Sequence, residues 1–160
     1  MTPTFNPDLD LQLTVDVPLT PEQLFDGWTN PLTLPKWFCP RPWRVVECEI
    51  DLKPGGRFSN VMQSPEGENM PKSNGCFLLI EPPHRLVWTG MMSEGYRPNV
   101  ISQLGFGFVC DLRFTPLPEG GSRFHACVMH ADPEGKVKHE QMGFDQGWRA
   151  ALSQLVELHT

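Results

Sequence analysis

ADPEGKVKHEQMGFDQGWRAALSQLVELHT, residues 131–160, closes the chain with a helix-start signal at one end and an apolar stripe along its length. Asp132 is an N-cap residue followed by Pro133 at the first helical position. At 100° per residue Val137, Phe144, Trp148, Ala151, Leu152, Leu155 and Leu158 fall on one side, so the pattern predicts one long helix over 133–159 whose apolar side must be covered. Trp148 is expected to project toward that cover, and His139, roughly 160° away on the wheel, toward solvent or the flank beside Gly143. Gly143 and Gly147 lie beside the stripe, four residues apart, with Ala151 at the same spacing. A mid-helix glycine costs about 1 kcal/mol relative to alanine, so the missing volume is expected to serve either close approach of another element or room for a ligand.

The cover is legible upstream as strands. Leu9, Leu11, Leu13, Val15 and Val17 alternate with polar residues, the period-2 mark of a half-buried strand. Thr20-Pro21-Glu22-Gln23 then reads as a capping box with proline at the first helical turn. A short helix to about Trp28 and another near 32–37 are expected before Pro40 and Pro42. Strands follow at 45–51, 57–63, 76–80, 85–91, 104–114 and 124–130, separated by Gly/Pro turns and by a loop at 93–102. Val46, Cys48 and Ile50 are assigned one face of the second strand, with Glu47, Glu49 and Asp51 on a solvated one. Phe124, Ala126, Val128 and His130 share the inward parity of the last. Strands 76–80 and 85–91 are apolar in both parities, so their inward face is not readable from pattern.

The expected architecture is α+β: a curved antiparallel sheet of six to seven strands gripping a long C-terminal helix, with two short helices after the first strand, as one domain over 1–160. Several stretches in order, Asn30-Pro31, Trp37-Phe38-Cys39-Pro40, Pro54-Gly55-Gly56-Arg57-Phe58, Glu81-Pro82-Pro83-His84 and Gly143-Phe144-Asp145-Gln146-Gly147-Trp148, resemble bacterial proteins similar to the C-terminal domain of the activator of Hsp90 ATPase, within the START and Bet v 1-like superfamily. The resemblance implies a helix-grip fold with a cavity between sheet and helix. It carries over no catalytic set, because one scaffold here serves carriers, receptors, cyclases and co-chaperones.

Trp28, Trp37, Phe58, Met62, Trp88, Met91, Phe106, Phe108, His130, Phe144 and Trp148 are the residues expected to line that cavity. Apolar walls with a few polar groups suit a small hydrophobic or amphipathic ligand; plain core packing is the competing role for each. A second reading is a cyclase, dehydratase or hydrolase using His130 with a carboxylate or Tyr96 as acid and base. A third is contact with Hsp90, and a homodimer is left open. Cys127, His130 and Asp132 are close in sequence, but Cys127 and His130 have opposite strand parity, which argues against a zinc site. Neither a nucleophile elbow nor a dinucleotide loop is present, so no cofactor is expected.

Composition narrows the field further. With 39% hydrophobic and 20% charged residues and a net charge of −6 the chain is of ordinary globular type. Its 13 basic residues are scattered, which excludes a phosphate-backbone binder. Five cysteines without a CxxC pair read as reduced thiols. The N-terminal stretch has no secretory pattern and no apolar run reaches the ~18 residues of a membrane span, so no membrane insertion and a cytoplasmic location are expected.

Overall fold

The computed structural model describes residues 4–100 and 105–160. Strand β1 (Asp10–Val17) leads to helix α1 (Pro21–Thr29) and a 3-10 turn at Leu34–Lys36. Then come β2 (Arg44–Ile50), β3 (Arg57–Gln63), β4 (Ser73–Glu81), β5 (Arg85–Thr89), a two-residue ribbon of β6 (Met92–Ser93) and β7 (Arg97–Pro98), β8 (Phe108–Pro116) and β9 (Ser122–His130). The chain ends with α2 (Pro133–Gln141) and α3 (Phe144–Glu157). Seven strands form one antiparallel sheet in the order β1-β9-β8-β5-β4-β3-β2, so the first strand pairs with the last while the others follow one another.

Local chemistry accounts for most of these elements. The capping box forms as the sequence predicts: Gln23 N donates to Thr20 Oγ1 at 3.1 Å, and Thr20 N donates to Gln23 Oε1 at 2.9 Å. Leu11 and Leu13 of β1 enter the core with Cys110, Leu112 and Phe114 of β8 and Phe124, Ala126 and Val128 of β9. Two bulges change parity where simple alternation fails. Between Val45 and Glu47 the register of β2 shifts, so Val45 is buried and Val46, assigned inward by pattern, is exposed. A second shift between Phe77 and Leu79 explains why β4 is apolar on both parities: Phe77 packs inward before the bulge and Ile80 after it. The strand predicted over 104–114 begins only at Phe108 and runs on to Pro116, with Gly105, Phe106 and Gly107 ahead of it outside regular structure. Leu104 lies outside the described residues, as do the last positions of the 93–102 loop, whose earlier part folds as the β6–β7 ribbon.

The single helix expected over 133–159 is two. Gly143 takes a left-handed φ of 88° and stands at the N-cap of α3, a conformation that costs an L-residue about 1–2 kcal/mol and glycine little. The apolar stripe is confined to α3: Val137, before the break, is 43% exposed, and Leu158, at the C-cap of α3, is 42% exposed. Trp148, by contrast, projects inward against Trp28, as the pattern of the second half requires. The close approach expected of the Gly143–Gly147 pair belongs instead to Gly27 of α1, where a Cβ would lie 2.8 Å from Leu155 Cδ1 of α3. At Gly143 and Gly147 an added Cβ meets nothing within 4 Å. The two glycines should therefore respond oppositely to alanine. Gly143→Ala is expected to destabilise by about 1 kcal/mol through backbone strain, and Gly147→Ala to stabilise by up to about 1 kcal/mol through helix propensity. Urea unfolding of both variants reads the signs directly.

Candidate functional site

The interior between sheet and helices is an aromatic network centred on Trp28. Its ring centroid lies 5.0 Å from Trp37, 5.7 Å from Phe38, 6.2 Å from Trp88 and 5.9 Å from Trp148. Trp88 continues the network to Phe58 at 4.8 Å and Phe108 at 5.5 Å. Phe144 joins from α3, 5.0 Å from Trp148. Phe106 and His130 complete it at the far end of β8 and β9, 5.9 Å apart. Of the residues expected to line a cavity, only two stand apart from these ring contacts. Met62 is half-buried farther along β3, and Met91 is 39% exposed beyond β5, against Gly107.

The rings expected to line the cavity are in contact with one another. Two hollows of about 340 Å³ each lie elsewhere, one between α1 and the Pro82–Pro83 turn, the other beside Glu81, His84, Arg85 and Arg113. The polar atoms inside the network are unevenly served. Trp37 Nε1 donates to Gly27 O at 2.9 Å. Trp28 Nε1 and Trp88 Nε1 are buried and have no hydrogen-bond partner among the described residues. Asn60, 5% exposed, lies opposite Cys48 on the face that carries Phe58. Ser59 Oγ is a further unpartnered atom, on the opposite parity of β3. An orphaned tryptophan N–H has no signature in sequence; Asn60 carries one, as a polar residue on the inward parity of a strand.

His130 and His139 form a buried pair. His130 Nδ1 donates to Leu9 O at 2.8 Å, which leaves a lone pair on Nε2, and His139 Nδ1 donates to it at 2.9 Å. Of the two placements its wheel position offered, His139 thus does not take the solvent face; it lies against Phe144, next to Gly143, since α2 and α3 do not share one axis. Its ring stacks on Phe106 at 4.8 Å and lies 4.9 Å from Phe108. Burial pushes its pKa down to about 4, helped by His130, whose own value burial also lowers. Tyr96, the acid–base partner considered from sequence, packs against Gly55 in the β2–β3 turn. All five thiols are free, and burial pushes those of Cys39, Cys48 and Cys127 up to about 11, so they stay protonated at neutral pH. Cys127 has the outward parity of β9, and no cluster of three metal-ligating groups occurs among the described residues. Among the same residues no helix is long and apolar enough to cross a membrane.

A seven-stranded antiparallel sheet whose first and last strands pair, closed by a C-terminal helix over an aromatic interior, defines the helix-grip class of the START and Bet v 1-like superfamily. The family model described as Activator of Hsp90 ATPase homolog 1-like protein matches residues 18–160, and the chain belongs to that family. Among solved structures it is similar to a protein of Nitrosomonas europaea, with 38% identity, 96% of each chain covered and a TM-score of 0.89. A Rhodobacter sphaeroides protein is 28% identical over 94% of this chain and 91% of its own, with a TM-score of 0.78. A protein of Aeromonas hydrophila, described as like the same activator, shares the fold at 20% identity and a TM-score of 0.68, with 93% and 90% covered. No curated protein matches the chain.

Proposed function

We propose that the chain binds a small apolar or amphipathic molecule within the aromatic network, through ring contacts and a hydrogen-bond acceptor held by Trp28 and Trp88. The observation that carries this reading is the pair of buried indole N–H groups without partners. Each orphaned donor costs about 1–3 kcal/mol, which a ligand carbonyl or hydroxyl would relieve. Asn60 offers a further donor and acceptor on the same inner face. The acceptor is uncharged, since no Lys or Arg joins the network and an unpaired ion would be expensive there. Entry requires the half-buried rings of Phe38 and Trp148 to turn, Trp148 beside the open space at Gly147. An acid–base enzyme on His130 has less behind it, because both its nitrogens are engaged within the protein.

Native mass spectrometry of freshly purified protein, followed by thermal shifts with a panel of neutral and charged apolar compounds, tests the proposal. A true ligand at a hundredfold excess over its Kd should stabilise by about 2.7 kcal/mol. Trp88→Phe keeps an aromatic ring and removes one orphan donor; it should weaken binding of that ligand by about tenfold, near 1.4 kcal/mol, while costing the empty protein little, since the lost ring volume is offset in part by the removed donor. Absence of any co-purified molecule together with a flat response to the whole panel would end this reading.

A further inference from the structure

We infer that the His130–His139 pair is an acid-sensitive latch: it holds α2 against the sheet and releases it when either ring takes a second proton. The basis is how little else anchors that helix. The buried residues of α2 are Gly135 and His139, so His139 supplies its one buried side chain, while Val137 points outward and is exposed. His139 sits among Phe106, Phe108 and Phe144 and donates to His130, which is fixed in turn by Leu9 O. A proton on His130 Nε2 forces His139 into its other tautomer, with Nδ1 accepting, and leaves a charge buried between the two rings; a proton on each ring sets two N–H groups head to head across 2.9 Å. A proton on His139 would place a charge where burial withholds water and beside His130, which together disfavour it.

The charged groups around the pair do not offset this. Asp10 of β1 and Asp132 at the α2 N-cap favour a charged His130, and Lys136 opposes it. Asp10 accepts from Asn6 N, and Asp132 accepts from Gly135 N as the helix cap. The remaining charges of α2 are paired along its surface, Lys136 with Glu140 and Lys138 with Glu134, and Asp145 of α3 pairs with Arg149. Burial and His130 both oppose a charge on His139. Above about pH 6.5 both rings are neutral whether or not α2 is docked, and acid has no leverage. Below it, the released form binds protons that the docked form excludes. The docking equilibrium then falls by up to about tenfold per pH unit for each histidine, until the docked form itself titrates near 4 in the case of His139. Release would bare Phe106, Phe108 and Phe144; the latch itself requires no ligand and stands apart from the binding proposal.

Hydrogen exchange of the whole chain between pH 7.5 and 4.5, corrected for the intrinsic pH dependence of amide exchange, tests it. Amides of 133–141 should lose protection by at least about tenfold between pH 7 and pH 5 while β8, β9 and α3 keep theirs. Constant protection of α2, or its loss only together with the rest of the domain, would overturn the latch. His139→Asn keeps a neutral N–H donor near the place of Nδ1 and cannot titrate. If it folds, the pH dependence of α2 protection should drop to that of His130 alone, and an undiminished dependence counts against the pair. Proton NMR of the wild-type rings gives an independent reading: the pair must titrate below the ordinary histidine range, and a midpoint near 6.5 for both would refute it.

Discussion

Trp28→Ala is expected to remove about 3–5 kcal/mol of stability, the range for deleting a large buried aromatic side chain. Trp28 sits where α1 faces the sheet, in ring contact with Trp37, Phe38, Trp88, Phe124 and Trp148. Truncation strips contacts from four different elements or segments, and the surrounding rings cannot all close onto one space. Since a domain of this kind has about 5–15 kcal/mol in total, the loss should lower Tm by roughly 10 °C. Trp28→Phe separates two contributions: it loses part of the ring volume but also the unpartnered N–H, so its cost should be much the smaller of the two. Chemical denaturation of both variants decides the matter. A cost below about 1.5 kcal/mol for the alanine would mean that the rings close readily over the gap and that packing there is loose.

How much of this could be read from the chain depended on whether the governing interaction was local. The capping box at Thr20 and Gln23 and the alternations of β1, β8 and β9 are nearest-neighbour effects, and each appears where its residues predict, except that β8 begins at Phe108 and not at Leu104. Val46 and the two-sided β4 resisted, because a bulge is set by how one strand fits its neighbour, not by its own residues. The helix break at Gly143 was visible only as an apparent cost: glycine lowers propensity in any helix, and nothing local says whether it adopts a left-handed φ. That break also left the place of His139 open between solvent and the Gly143 flank, since a wheel drawn through it keeps a phase the chain abandons. The aromatic residues of the candidate site were legible as inward-facing types, yet their closure onto one another, and the two indole donors left unserved, arise from tertiary geometry alone.

Gln154→Leu carries the other large effect, at about 2–4 kcal/mol, from a residue that pattern reading passes over. It lies among the buried positions of α3, where its carboxamide serves the chain segment that follows α1. Nε2 donates to Trp37 O at 3.1 Å and to Cys39 O at 2.9 Å, and Oε1 accepts from Arg41 N at 2.9 Å. Leucine of similar size leaves two carbonyls and one N–H without that partner, each worth about 1–3 kcal/mol where water cannot replace it. Water can reach the Arg41 end, which is exposed, so the sum falls short of three full penalties. The neighbouring Arg41–Glu157 pair is exposed on both sides and offsets little. Gln154→Glu sharpens the assignment. A carboxylate still accepts from Arg41 N but donates to neither carbonyl, so this variant should be at least as unstable as the leucine one near neutral pH. It should recover part of the loss in acid, where a protonated carboxyl regains one donor. Unfolding curves across pH test the pattern: an acid-insensitive Gln154→Glu variant would place the three bonds outside the folded energetics. Because the same segment carries Trp37 and Phe38, loosening it should also raise the accessibility of Trp37 to a fluorescence quencher, which ties the staple on α3 to the rings that guard the interior.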